Sequence, residues 1–347
     1  MAFALKSALI GTTHIRREQM KLRRPLLSAV VTAILTALCI AGGEPKLAFP
    51  LAVGAWFAGV ADTGEAIGDH WRSMLWTTVW VSMGALLGGL TSQIGYLEFL
   101  TVAAIAFACG FAGAIGPRGA LNGLLMLVVY AVFAGAPTTD LGAIQTALVV
   151  VLGGVIQVII AILPTAVMHP RRLRSSRPPV EALLTRLRSH TAIDDMFLRH
   201  AARLAIAMVA ATALSSATNW PHEYWIPMTV AWMTRPDKDG TSTRVVERIL
   251  GTLAGILAAA ILIDGLDKGP YVLAVIIGCG VFVSLVFLQA NYALAVVGLT
   301  TTVIALFTLL GEPVSGTAPY RIAATLAAGV ITVLASFLWP LKPADPA

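Results

Sequence analysis

"YWIPMTVAWM", Tyr224 to Met233, is almost wholly apolar chain with a proline, Pro227, inside it. Charges stand on both sides, Glu223 before it and Arg235, Asp237, Lys238 and Asp239 after it. As an α-helix it reaches only about 15 Å, half the hydrocarbon thickness of a bilayer. The first half of the chain holds a second such segment, "AFPLAVGAWF" from Ala48 to Phe57, with Pro50 near its start. Both are too apolar for water and too short to span a membrane.

The rest of the chain supplies the setting. Of its 347 residues, 57% are hydrophobic and 12% charged, with a mean hydropathy of +0.82. A soluble domain carries roughly 25% charge. A chain this poor in charge needs lipid to cover it, which makes it a polytopic membrane protein. The apolar segments lack the period-2 alternation of a membrane β-barrel, so they read as helices and the fold class is all-α. Cys39, Cys109 and Cys279 all fall inside apolar segments with no CxxC pair, and read as buried thiols rather than a zinc or redox site. The N-terminal positive charges follow the short apolar run instead of preceding it, the wrong order for a signal peptide.

Twelve apolar segments can be placed: 25–42, 47–60, 74–92, 96–116, 119–136 and 141–168, then 200–218, 224–234, 248–263, 270–288, 291–310 and 319–339. With the N-terminus inside, 21 of the Lys and Arg residues fall on the inner side. Only Lys46, Lys268 and Arg321 fall outside, so the positive-inside rule puts both termini in the cytoplasm. The +6 net charge then calls for anionic membrane lipid, and no nucleic acid. The organisation expected is a basic cytoplasmic segment 1–24, a six-helix repeat 25–169, a basic linker 170–199, a second six-helix repeat 200–340, and a tail 341–347. Within the linker, "PPVEALLTRLRSH" could form a short surface helix, though arginines that merely orient the chain are the simpler reading.

The two repeats are read from prolines. Pro50 and Pro227 lie 177 residues apart, and Pro137 with Pro313 and Pro164 with Pro340 lie 176 apart, as do Arg72 and Arg248. Six segments per half is an even number, which predicts parallel repeats about an axis along the membrane normal. Short or proline-interrupted spans at matching places point to a transport site, because backbone groups freed by proline are tolerated only against protein or a watery cavity.

The stretch "HEYWIPMTVAWMTRPDKDGTSTRVVERILGTLAGILAA", 222–259, resembles the FUSC family of fusaric-acid-resistance and aromatic-acid-exporter-like membrane proteins, distantly similar to aluminium-activated malate transporters. The residues that carry the resemblance are Tyr224, Trp225, Pro227, Thr229, Arg244, Arg248, Gly251, Thr252 and Gly255. It covers about 40 residues well and extends plausibly over the second half. The resemblance implies an inner-membrane transporter of organic, often aromatic, carboxylates. The long members' large cytosolic domain has no counterpart in this sequence.

Arg72 and Arg248 each lead a third span at the same repeat position. A pair of guanidiniums there would draw organic anions from the cytoplasm, since the planar fork binds a carboxylate bidentately. Snorkelling at the interface is the plainer account of both. Arg244 could share the role or pair with Glu247 and Asp239. Trp225, Trp232 and Trp56 could stack on an aromatic substrate, although aromatic belts use such residues more often. Thr229 could line a cavity or bond back to its own helix. Gln289 and Asn291 read as a solvated turn. Gly251 and Gly255, and Gly84 with Gly88, are spaced for helix packing. Of the acids only Glu98 lies inside a segment, which leaves little for a deep proton relay. No ATP-binding motif, metal-ligand spacing or nucleophile–base set is visible, so no cofactor, metal or enzymatic role is expected. The function expected is export of small organic anions between the repeats, with Pro227 and Pro50 at the constriction. A gated anion channel and a non-transporting assembly protein are the rivals. A homo-oligomer or an efflux accessory protein stays open as partner.

Overall fold

The computed structural model describes residues 15–62, 67–95, 97–168, 180–265 and 269–338. Arg171 to Arg177 of the linker, Lys268, Pro340 and Lys342 lie outside the described residues. Every regular element among the described residues is helical. The first half holds α1 (Arg23–Ala41), α2 (Ala48–Val60), α3 (Ile67–Thr91), α4 (Leu97–Phe111), α5 (Pro117–Ala134) and α6 (Asp140–Met168). A short helix, α7 (Val180–Ser189), follows, so part of the linker is helical after all. The second half holds α8 (Met196–Thr218), α9 (Trp225–Met233), α10 (Lys238–Gly265), α11 (Pro270–Phe287), α12 (Tyr292–Leu309) and α13 (Val314–Phe337).

Ten of these helices are long and apolar enough to cross a bilayer, and α2 and α9 are not. Of the twelve expected segments, ten form helices of spanning length, while α2 and α9 are shorter and buried among them. All nine residues of α9 are buried, as are eleven in α2. The long helices turn apolar stripes outward, Leu26, Val30, Ile34 and Leu38 on α1 and Leu250, Leu253, Leu257 and Ile261 on α10. Such stripes repeat every three to four residues along one helix face, as a lipid-facing side requires. The interior is the more polar side: Ser28, Thr32, Thr36, Thr77, Thr78 and Gln157 are all buried. Several of these hydroxyls bond back to their own helix, as Thr32 does to the Ser28 carbonyl at 2.8 Å. Cys109 is buried, but Cys279 is exposed on the outer face of α11, against the expectation of three buried thiols.

Neither proline interrupts a helix. Pro50 is the third residue of α2 and Pro227 the third of α9. The first N–H groups of a helix have no partner inside it, so a residue without one costs nothing there. At the head of α9 the Glu223 carbonyl accepts from the Ser215 hydroxyl at 2.8 Å, so protein satisfies the backbone. The helix ends at Met233 with Thr234 extended as its C-cap, and Pro236, two residues beyond the cap, cannot continue it.

Packing repeats between the halves. α2 packs on α1, α3 and α6, and α9 packs on α8, α10 and α13. α3 lies along α5 and α6, and α10 along α12 and α13. The two seams between the halves also correspond, α4 against α8 and α11 against α1. Glycine makes both close: a Cβ on Gly110 would meet Ala201 Cα at 2.9 Å, and one on Gly278 would meet the Ala33 Cβ at 2.9 Å. The GxxxG pairs serve the same helix pairing in each half. Gly84 and Gly88 sit against the Met126 and Tyr130 carbonyls, and Gly251 and Gly255 against Ala293, Val297 and Thr300.

Three helices begin five or more residues before their apolar runs. α10 starts at Lys238 instead of 248, α3 at Ile67 instead of 74, and α13 at Val314 instead of 319. The hydrogen-bonded ladder continues through polar first turns where hydropathy has already ended. This moves charged residues inside the helices and sets up the site.

Candidate functional site

α9 presents Trp225, Thr229 and Trp232 at i, i+4 and i+7, one face of a helix. An arginine stands at each end of that face. Arg248, from α10, lies over the Trp232 ring with its guanidinium carbon 5.8 Å from the centroid. Arg321, from α13, lies over the Trp225 ring at 5.2 Å. Two helical turns separate the tryptophans, about 10 Å of rise. Both arginines are fully buried.

Their hydrogen bonding is incomplete. Arg248 donates from Nη1 to the Tyr292 hydroxyl at 3.2 Å, while its Nε and Nη2 reach no acceptor among the described residues. Arg321 makes no hydrogen bond from Nε, Nη1 or Nη2 to any described residue. No described carboxylate lies within ion-pairing distance of either. Thr229, between them on α9, is fully buried and its hydroxyl bonds to nothing described, so it does not bond back to its helix. Thr234 at the end of α9 does so, to the Val230 carbonyl at 2.8 Å. Buried charge of this kind costs several kcal/mol per ion unless something compensates it.

A cavity of about 430 Å³ leads to Trp232 and Arg244 from the end of the bundle where Arg235 and Pro236 lie. It opens between the halves, with Leu121 and Leu124 of α5 on one wall and His200 and Leu204 of α8 on another. Beside it a second recess of about 890 Å³ is lined by Arg16, Arg235, Arg244 and Tyr292. Arg244 stacks on the Tyr292 ring at 3.5 Å, with Glu247 at 3.9 Å. At the opposite end His222 stacks on Trp225 at 4.6 Å between centroids and pairs with Glu312 at 2.6 Å. Apolar walls with a few converging cations suit an amphipathic anion.

The match to known proteins falls on this half. Residues 206–335 match the model of the family described as fusaric acid resistance protein-like. Over these residues the chain is similar to that family. The inner membrane protein YccS of Escherichia coli (strain K12) is 30% identical over 158 residues, 45% of this chain and 22% of that protein. YhfK of the same organism is 29% identical over 143 residues, 41% of this chain and 20% of that protein. A Neisseria gonorrhoeae protein, ORF2, is 26% identical over 155 residues, 44% of this chain and 37% of its own length. The chain thus spans about a fifth of the length of the two Escherichia coli relatives. No solved structure matches it.

Within the second half, Arg248, Arg244, Thr229 and Trp232 of the sequence expectation converge around α9. Trp225 and Trp232 are buried in the bundle, which removes them from any interfacial belt. Trp56 of α2 is buried too, shares a small cavity with Trp232, and donates from Nε1 to the Ser284 hydroxyl across the halves at 3.0 Å. Pro50 and Pro227 lie inside the bundle, but at helix starts, so neither narrows a path by breaking a helix. Arg72 does not join Arg248. It is half-buried over the Trp71 ring at 5.2 Å, on a helix that lies along α5 and α6. The expected pairing of Arg72 with Arg248 is not seen; Arg244, one turn before Arg248 on α10, is the arginine beside it. Arg321, assigned from sequence to the outer surface, is the residue that reasoning missed. Gln289 lines both recesses, and Asn291 caps α12 by accepting from Leu294 N–H at 3.1 Å.

Proposed function

We propose that this multi-pass membrane protein moves small organic anions, aromatic carboxylates among them, across the inner membrane between two parallel six-helix repeats. The arginine-rich end faces the cytoplasm, and the anion enters the cavity there and meets Arg244 and then Arg248. The observation that carries this reading is Arg248 itself: fully buried, charged, with two of its three nitrogens free to bind and no carboxylate beside it. The FUSC-family match, the inner-membrane relative and the recurring helix pairings support it. A passive, gated path is the form favoured over proton-coupled export, because no described acid touches either buried arginine.

The test is flux of labelled benzoate into proteoliposomes that hold the full chain. Arg248→Gln should cut the rate about tenfold or more, the loss of one charge-assisted contact at about 1.4 kcal/mol per decade. Arg72→Gln should leave it within about twofold, since Arg72 lies over Trp71 and lines neither recess. Equal flux in wild type and Arg248→Gln would refute the reading. Passive anion current without an imposed proton gradient separates a channel from a coupled exporter.

A further inference from the structure

We propose that Arg321 and Trp225 form a second carboxylate-binding station on the same path, one α9 length beyond Arg248 and Trp232. It rests on the transport reading and deepens it, turning one recruiting cation into two sites occupied in sequence. Arg321 is fully buried, and none of its three guanidinium nitrogens bonds to a described residue. A guanidinium carries five N–H donors in a fixed fork that matches a carboxylate. The Trp225 ring holds one face of that fork and leaves its donor edge unpaired. Arg248, Tyr224 and Tyr292 face it electrostatically, and no described carboxylate hydrogen-bonds to it. Two buried like charges facing each other are expensive in a medium of low dielectric constant. An anion passing between them offsets that repulsion and is drawn onward by the second cation.

Geometry fixes the order of the stations. The Trp225–Thr229–Trp232 face of α9 connects them, and the Thr229 hydroxyl midway is buried without a described partner. Beyond Trp225 the route meets His222, stacked on the indole and paired with Glu312. His222 and Asn219 hold left-handed backbone, φ 56° and 48°, so the loop that closes this end is under local strain. The ligand class is a monocarboxylate with a planar apolar body. Its charge meets a fork and its ring meets the Trp225, His222 and Phe307 cluster, in which His222 lies 4.4 Å from Phe307.

Equilibrium dialysis of labelled benzoate against the purified full chain tests this. Wild type should bind about two benzoates per chain, and Arg321→Gln and Arg248→Gln about one each, as separate bidentate sites require. Flux through Arg321→Gln should fall about tenfold or more. Arg321→Lys keeps the charge and the fold but loses the fork, so one of its two affinities should drop several-fold. A wild type that binds one benzoate overturns the second station, as does Arg321→Gln with unchanged stoichiometry and flux, and transport by way of Arg248 survives either result. If Arg321→Gln does not fold, wild-type affinity at both sites in Arg321→Lys overturns it instead. A wild type with neither binding nor flux removes both proposals together.

Discussion

A guanidinium inside a bundle with no carboxylate beside it must be held by something else, and here aromatic rings hold two. Arg248 has one described hydrogen-bond partner, the Tyr292 hydroxyl. Tyr292→Phe should therefore cost about 1–3 kcal/mol, the penalty for stranding a buried charged donor. Chemical denaturation in detergent micelles would measure it. In an Arg248→Met background the same change should cost almost nothing, because the stranded group is gone; equal costs in both backgrounds would show that the contact is incidental. Arg248 was legible in the sequence, since it opens an apolar run in a segment that resembles a known family. Arg321 was not. It follows Pro319 at the start of an apolar run and looks like a surface charge. Only the start of α13 at Val314 shows it seven residues inside, about 10 Å down the helix. Hydropathy marks where charge begins and says nothing of where the ladder of hydrogen bonds does.

At the scale of helices, α9 is short because it is central and needs only to cross the core of the bundle. Its apolarity was legible, and so was its pairing with α2. The role of the prolines was not, because composition does not reveal that each occupies the third residue of its helix. Glycine contacts decide how closely the long helices approach. Gly251→Leu should prevent assembly, since even a Cβ there would lie 2.4 Å from the Ala293 carbonyl oxygen. Gly265→Ala should be tolerated, having open space around it; size-exclusion profiles after extraction separate the two outcomes. α8 depends on a cap. Asp195 accepts from the Phe197 N–H at 2.8 Å and pairs with His190 at 2.7 Å. Burial alone would raise its carboxyl, but the His190 and backbone hydrogen bonds outweigh that and hold it below the usual carboxylate range. A carboxyl depressed in the folded state stabilises above its unfolded value, near 3.9, and that stability is lost as pH falls through the folded value. Asp195→Ala should cost about 1 kcal/mol at neutral pH and progressively less below about pH 4, seen as converging melting temperatures.

For the whole molecule, the same helix pairings recur in both halves while the chemistry does not. The first half supplies packing surface, with Phe49 at the head of α2 against Phe307 of the second half at 6.1 Å. The second half supplies both arginines that are fully buried among the described residues. The apolar helices and their order along the chain could be read from hydropathy. The asymmetry could not, because it depends on which residues of matching helices turn inward. Thr229, midway along the α9 face, is the most direct place to test the claim that this face lines the anion path. Cys39, Cys109 and Cys279 would be replaced by alanine and Thr229→Cys introduced into transport-competent protein. A negatively charged, membrane-impermeant thiol reagent should modify that position from the cytoplasmic side, and benzoate should slow the reaction. A cysteine at 229 that stays unreactive from both sides while benzoate still crosses would contradict the account.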